Sequence, residues 1–446
     1  MRITFIGAGS VEFTRKMVSD LIMVPEFQTV EFVLMDINQR NLDLIERVLA
    51  ADLKANGLNN VVLTKTTNQR EAVTGASYIF NVARVGGLEA FEFDIEIPLK
   101  YGIDQCVGDT ICAGGIMYGQ RTIPMILALC KDIREVAREN ALLLNYANPN
   151  AMNTWAANTY GKVQTIGLCH GVQHGHEQIA EVLGLKQEEI DIICAGINHQ
   201  TWYIQVLHNG VDMRDKLLEG FRKHPIYSRQ EKVRIDILER FGYYSTESNG
   251  HLSEYLPWYR KRPDEIDNWI DYSWWIHGET GGYLKYSREL REKFEKSATT
   301  EALLIPYEYK DHQRSSEHGS YILEALETGR VYRGHFNVPN DGCISNLPSD
   351  CIVEVPGYVD KNGISIPKVG NLPLGCAAIC NQSISVQRMS VEAAVHADIS
   401  MLKQAVLLDP LVGAVCNPPE VWSMVDEMLI AEQQWLPQYQ QHINAM

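Results

Sequence analysis

The two glycines after the first apolar run constrain the fold more than any other feature. Residues 3–6, Ile-Thr-Phe-Ile, are followed at once by Gly7-Ala8-Gly9-Ser10. A helical pattern over residues 14–23 stops before Pro25, and Glu31-Phe32-Val33-Leu34-Met35 is a second apolar run that closes on Asp36. Strand, glycine turn, helix, strand and terminal acid make up the βαβ unit of dinucleotide-binding folds. Gly7 allows the tight turn, and Gly9 lets the backbone approach a pyrophosphate. Ser10 leads into the helix N-terminus, which supplies N–H donors and a favourable dipole. Asp36 is placed to accept from the ribose hydroxyls of the adenosine and to repel a 2′-phosphate, which selects NAD over NADP. The third glycine of G-x-G-x-x-G is missing, since Glu12 stands there.

The alternation of strands and helices continues to about residue 194. Residues 41–55 are amphipathic, with Leu42, Ile45, Val48 and Leu49 on one face. Residues 61–63 and 76–82 are further strands, then residues 122–140 a helix and 142–146 a strand. Strand ends in such a sheet carry ligands. That puts Asn81 within reach of cofactor, and Arg84, Asn148 (held extended by Pro149) and Cys169 within reach of substrate or metal. Beyond residue 195 the alternation ends. Antiparallel strand material (195–207) is followed by Trp- and Tyr-rich helices such as 269–275, a hairpin turning at 360–363, and long helices at 390–408 and 421–434. The expected fold is α/β: a Rossmann-like doubly wound parallel sheet in residues 1–194, then an α+β substrate and oligomerisation domain in residues 195–446.

Composition excludes some partners. A chain of 446 residues exceeds the usual single-core size. A formal net charge of −16 argues against nucleic acid and against an anionic membrane surface. No signal peptide or membrane-spanning run is evident, and the ten scattered cysteines suit a reducing cytoplasm with free thiols. Cys376 and Cys380 have the wrong spacing for a redox pair and read as structural.

Two short segments carry the chemistry: Cys169-His170-Gly171-Val172 and Gly196-Ile197-Asn198-His199. Thiolate and imidazole together suit a borderline transition metal. A zinc site made from His170, His174 and His176 is the competing arrangement, but that stretch reads better as a helix start with its rings partly solvated. Beside a nucleotide fold, such residues fit either a hydroxy-acid or alcohol dehydrogenase, or an enzyme in which hydride transfer only primes another bond cleavage. A non-catalytic NAD-binding sensor is a third class. Asn148-Pro149 echoes lactate and malate dehydrogenases, whereas their D-x-x-R motif is not evident.

Taken together, Ile3-Thr4-Phe5-Ile6-Gly7-Ala8-Gly9-Ser10, Gly114-Gly115-Ile116-Met117, Leu144-Asn145-Tyr146-Ala147-Asn148-Pro149, Gly167-Leu168-Cys169-His170, Cys194-Ala195-Gly196-Ile197-Asn198-His199 and Trp435-Leu436-Pro437 resemble glycoside hydrolase family 4 over nearly the whole chain. That family is an exception to the two-carboxylate scheme of other glycosidases. The resemblance implies NAD and Mn²⁺ as cofactors and a small carbohydrate as substrate. It also implies transient oxidation at C3 of the sugar, loss of the C2 proton, elimination of the glycosidic oxygen, addition of water and return of the hydride. Cys169 and His199 are then the protein metal ligands, and His170, where phosphosugar-cleaving members carry aspartate, is the general acid. The base is expected among Glu247, Tyr244 and His251, with Glu247 favoured on basicity. Cys-His-Gly at 169–171 implies an α-galacturonide substrate, with an α-galactosidase or α-glucuronidase as the alternative. A uronate would require a cation for its C6 carboxylate, for which Arg84 and Arg121 are candidates. Family likeness also implies a homodimer or homotetramer.

Overall fold

The computed structural model describes residues 1–311 and 313–445. Twelve strands form one sheet. They are β1 (Arg2–Ile6), β2 (Glu31–Met35), β3 (Val62–Thr66), β4 (Tyr78–Asn81), β5 (Leu142–Asn145), β6 (Thr165–Gly167), β7 (Ile190–Ile197), β8 (Gln200–His208), β9 (Val211–Asp212), β10 (Tyr332–Pro339), β11 (Ile352–Asp360) and β12 (Gly363–Ser365). Their order is β3-β2-β1-β4-β5-β6-β10-β11-β7-β8-β9, with β12 on the flank of β11. The first six are parallel and the rest join antiparallel. This is the doubly wound Rossmann-like arrangement, and β1, flanked by β2 and β4, marks the point where strand order reverses.

Apart from the edge strand β3, the parallel strands are buried on both faces, as helices on either side require. Phe5 and Phe80 stack at 4.8 Å on one face. Ile6, Val33, Ile79 and Leu143 pack on the other. The larger core runs from Ile3 and Phe32 through Trp202 and Val353 to Cys380 and Leu429, so both halves of the chain share it. The domain division expected after residue 194 falls inside β7.

The helix Val11–Ile22 follows the glycine turn, and Gln39–Ala55 follows β2, its first turn capped by Asn38, whose side chain accepts from the Asn41 N–H. Two helical expectations need correction. Residues 269–275 do not form a helix: Pro263–Asn268 and Trp275–His277 are short 3₁₀ turns, with Pro263 and Gly278 at their margins and Trp269 packed edge-on to Tyr259. The single helix expected over 390–408 is two, Leu374–His396 and Ile399–Leu408. Ala397 turns left-handed at φ +55°, and Asp398 starts the second helix by accepting from the Met401 N–H. All ten cysteines are buried and free. Among the described residues no helix is long and apolar enough to cross a membrane.

Candidate active site

At the point of strand reversal, the N–H groups of Gly7 and Ala8 both donate to the Met35 carbonyl at 2.9 Å, which fixes the turn. Gly7 has φ +89°, and a side chain there would also meet the backbone of Val82 and Ala83. The Gly9 N–H donates to Asp36 Oδ2 at 2.7 Å, and a Cβ on Gly9 would lie 2.5 Å from that oxygen. The other Asp36 oxygen accepts from the Asn38 N–H. Gly9, Ser10, Glu12 and Asn41 line a cavity of about 390 Å³ together with Arg291, Lys293 and Phe294. Glu12, in place of the third glycine, is exposed and lines this cavity.

Ser10 also lines a second cavity of about 360 Å³, so the two adjoin. Into the second come Asp109, Asn148, Cys169, His170, His199, Glu247, His251 and Glu317. Cys169 stands two residues beyond β6, and His199 lies in the two-residue turn between β7 and β8. Cys169 Sγ, a His199 ring nitrogen and a Glu247 carboxylate oxygen all lie within 4.8 Å of one another, a donor set that fits a divalent transition metal with coordination positions left for substrate. His199 Nε2 is 3.0 Å from Glu247 Oε2, and its Nδ1 is 3.2 Å from Thr110 Oγ1. Thr110 in turn donates to Asp109 Oδ1 at 2.9 Å. A carboxylate acting through a hydroxyl thus orients the ring, the arrangement that metal-binding histidines commonly show.

Burial pushes the Cys169 thiol up to about 12, with Glu247 adding to the effect. Burial opposes charge on both His199 and Glu247. Their mutual attraction outweighs it, raising His199 well above the usual histidine range and holding Glu247 well below the usual carboxylate range. Burial takes His251 down to about 4. Its Nδ1 meets Ser248 Oγ at 2.7 Å, and its ring stands edge-on to His199 at 4.7 Å.

His170 caps the helix Gly171–Leu183 and faces the cavity, with Nδ1 4.0 Å from Glu317 Oε1. Gly171 is required beside it, because a Cβ there would come within 2.6 Å of Glu247 Cγ. His170 and His174 are ring neighbours at 4.8 Å, while His176 bonds the Ile190 carbonyl, so these three build no metal site.

Several expected residues lie elsewhere. Asn81 is fully buried, with its amide donating to Asn145 Oδ1 at 2.8 Å, so it ties β4 to β5 instead of facing a cofactor. Arg84 is not among the lining residues; it lies 3.6 Å from Asp109 Oδ2 and over the ring of Phe91. Arg121 is buried against Asp94 and Glu432, which leaves no charge for a sugar carboxylate. Tyr244 is a core residue stacked on Phe221, its hydroxyl on Gln178, and it does not reach the cavity. Asn148 does reach it, donating from its side-chain amide to Asp109 Oδ2 at 3.1 Å. Asp109, Thr110 and Glu317 were not anticipated from the sequence. The first two stand in residues 104–119, a glycine-rich and polar stretch whose sequence assigns neither a role.

A Rossmann-like sheet whose nucleotide turn opens beside a thiol–imidazole–carboxylate cluster defines the class, and comparison with known proteins specifies it. Residues 2–185 match the family described as family 4 glycosyl hydrolase, and residues 194–412 match its C-terminal domain. The chain belongs to glycosyl hydrolase family 4. It is 61% identical over 445 residues to an alpha-galactosidase of Rhizobium meliloti (strain 1021), covering 100% of this chain and 91% of that protein. It is 28% identical to an alpha-galacturonidase of Lachnoclostridium phytofermentans, covering 98% and 97%. Among solved structures, a 6-phospho-alpha-glucosidase from gut microorganisms in complex with NAD and glucose-6-phosphate superposes with a TM-score of 0.76 at 27% identity, covering 98% of each chain. A Thermotoga maritima 6-phospho-beta glucosidase with manganese, NAD⁺ and glucose-6-phosphate shares the fold, with a TM-score of 0.78 at 23% identity over 98% of this chain and 99% of that one.

Proposed function

We propose that the protein hydrolyses α-galactosides by transient oxidation at C3, using NAD in the glycine-turn cavity and Mn²⁺ at Cys169 and His199. One observation carries the reading: the nucleotide turn and the cysteine–histidine cluster open into adjoining cavities that share Ser10. NAD⁺ and Mn²⁺, when bound, supply a reversible hydride acceptor and a Lewis acid for the sugar oxygens. Gly7, Gly9 and Ser10 cradle the pyrophosphate, and Asp36 receives the ribose. Glu247, which lines the cavity 3.0 Å from His199 Nε2, takes the C2 proton on a carboxylate oxygen. With His170 Nδ1 turned to Glu317, Nε2 is the nitrogen left to protonate the glycosidic oxygen. Asn148 and Asp109 orient hydroxyl groups. Phe13, Leu168, Trp275 and Tyr283 line the same cavity and exclude water.

The neutral sugar is preferred over the uronate implied by Cys-His-Gly. Among the described residues lining the substrate cavity there is no lysine or arginine, whereas Asp109, Glu247 and Glu317 are all present. A C6 carboxylate would enter against three acids, one of which, Asp109, already holds Arg84 at 3.6 Å. The 61% identity to a protein named alpha-galactosidase supports the same choice. An assembly of two or four copies in the cytoplasm completes the proposal.

The test compares melibiose with digalacturonate, with and without NAD⁺ and Mn²⁺. Expected are cleavage of melibiose that needs both cofactors, no net NADH, and solvent deuterium at C2 of the product. Cleavage of digalacturonate in preference would overturn the substrate assignment. Stoichiometric NADH would return the protein to the dehydrogenases.

A further inference from the structure

We infer that Glu354 is a positioning residue for the metal site, setting the place of His199 through the side chain of Asn198. The inference rests on the proposed metal-holding role of His199. Asn198 and His199 are the only residues between β7 and β8, so this histidine sits on a turn with little slack. Two groups hold that turn from below. The Tyr255 hydroxyl donates to the Asn198 carbonyl at 3.0 Å and accepts from the His199 N–H at 3.2 Å, which fixes the backbone. The Asn198 side chain, fully buried, donates through Nδ2 to Glu354 Oε2 at 3.1 Å.

Glu354 is an odd residue for a sheet interior. It lies in mid-strand on β11, opposite Gly196 of β7 on one side and Asn337 of β10 on the other. It is 1% exposed, and no lysine or arginine among the described residues forms an ion pair with it. A carboxylate buried among amides costs stability that a leucine of similar size would not. Packing therefore does not account for it. Its hydrogen bond to the residue preceding a metal-holding histidine does, because supporting groups of this kind fix the orientation of a ligand and tune its affinity.

The test measures Mn²⁺ binding from the electron paramagnetic resonance of free Mn²⁺, with no sugar present, alongside NAD⁺ binding by calorimetry. Glu354→Leu is expected to weaken Mn²⁺ binding by about 10- to 100-fold, the range for loss of a supporting partner, and to leave NAD⁺ binding unchanged. Glu354→Gln keeps an acceptor for Asn198 Nδ2 and is expected to restore most of the Mn²⁺ affinity, which a merely structural role would not predict. Asn198→Ala cuts the same contact from the other side and must show the same drop, whether or not the leucine variant folds. A folded Glu354→Leu or Asn198→Ala protein with wild-type Mn²⁺ affinity overturns the inference alone. A wild-type protein that binds no Mn²⁺ overturns the metal reading and the inference with it.

Discussion

The two halves of the site are built on opposite principles. The nucleotide turn is made of backbone: consecutive small residues close it at a helix start, with the N–H groups of Gly7 and Ala8 on the Met35 carbonyl and that of Gly9 on one nearby acid, Asp36. The metal and substrate half is made of side chains, drawn from residues 109–110, 148, 169–170, 199, 247–251 and 317. Each of these needs its own support. Thr110 and Asp109 orient His199, Ser248 pins His251, and Glu317 faces His170. A backbone cradle tolerates changes that keep residues small, whereas a side-chain cluster loses function with any one member. Sequence turnover between relatives should therefore change substrate chemistry before it changes the cofactor.

That contrast can be broken by experiment. Cys169→Ala should produce the largest effect, lowering Mn²⁺ affinity by more than the about 100-fold that bounds a supporting residue, with NAD⁺ binding intact. Equal loss of NAD⁺ binding, read by calorimetry, would show that the two halves are not independent. Glu247→Gln should abolish deuterium exchange at C2 while retaining NAD⁺ binding. Loss of Mn²⁺ binding in the same variant would make Glu247 a third ligand as well as the base, an outcome its place in the cluster allows.

Smaller effects are expected at the cradle. Gly9→Val places a side chain against Asp36 and breaks the Gly9 N–H bond to it. A hydrogen bond to a charged group contributes about 1.5–3 kcal/mol, so NAD⁺ affinity should fall by about 10-fold or more, with Mn²⁺ affinity unchanged. Asp36→Asn should mainly shift preference toward NADP, seen as a narrowed ratio of the two dissociation constants.

Mild acid should discriminate the halves most gently. Burial holds His318 neutral down to about pH 4 and His335 down to about pH 3, against about 6.5 for an unfolded histidine. Below about pH 6.5 the unfolded chain takes up protons that the folded chain refuses, so their contribution is full above that pH and declines as pH falls toward 4 and 3. The melting temperature should drop by a few degrees between pH 7 and 5, and His335→Leu should flatten the slope. His318 Nε2 lies 3.0 Å from the Cys169 carbonyl, so the loss falls on the side-chain half.

The same division governs what the sequence reveals. Gly7, Gly9 and Asp36 are legible because a βαβ unit packs its recognition into one contiguous stretch. Cys169, His170 and His199 are legible because their residue types are uncommon at strand ends and their motifs resemble one family. Thr110 and Glu317 are not, since nothing local separates a threonine that orients a histidine from one that caps a turn. Asn81 and Arg84 mislead for the complementary reason: a polar residue at a strand end suits a ligand as well as a neighbouring strand or an acid such as Asp109. The aromatic stretch at 269–275 reads as helical, and its packing against Tyr259 decides otherwise. The break at Ala397 was marked by Asp398, a good N-cap concealed inside a helical pattern.

The sheet has one further consequence. β10 and β11 come from the C-terminal part of the chain, yet they sit between β6 and β7, which are consecutive in sequence. The late strands are threaded through the middle of the early ones, so no cut divides the molecule into two self-sufficient pieces. A ribosome must release nearly the whole chain before the floor beneath Cys169 and His199 can close. Truncated fragments of this protein should therefore be poor starting points for engineering, and new specificity is better sought in the surface segments over the cavity.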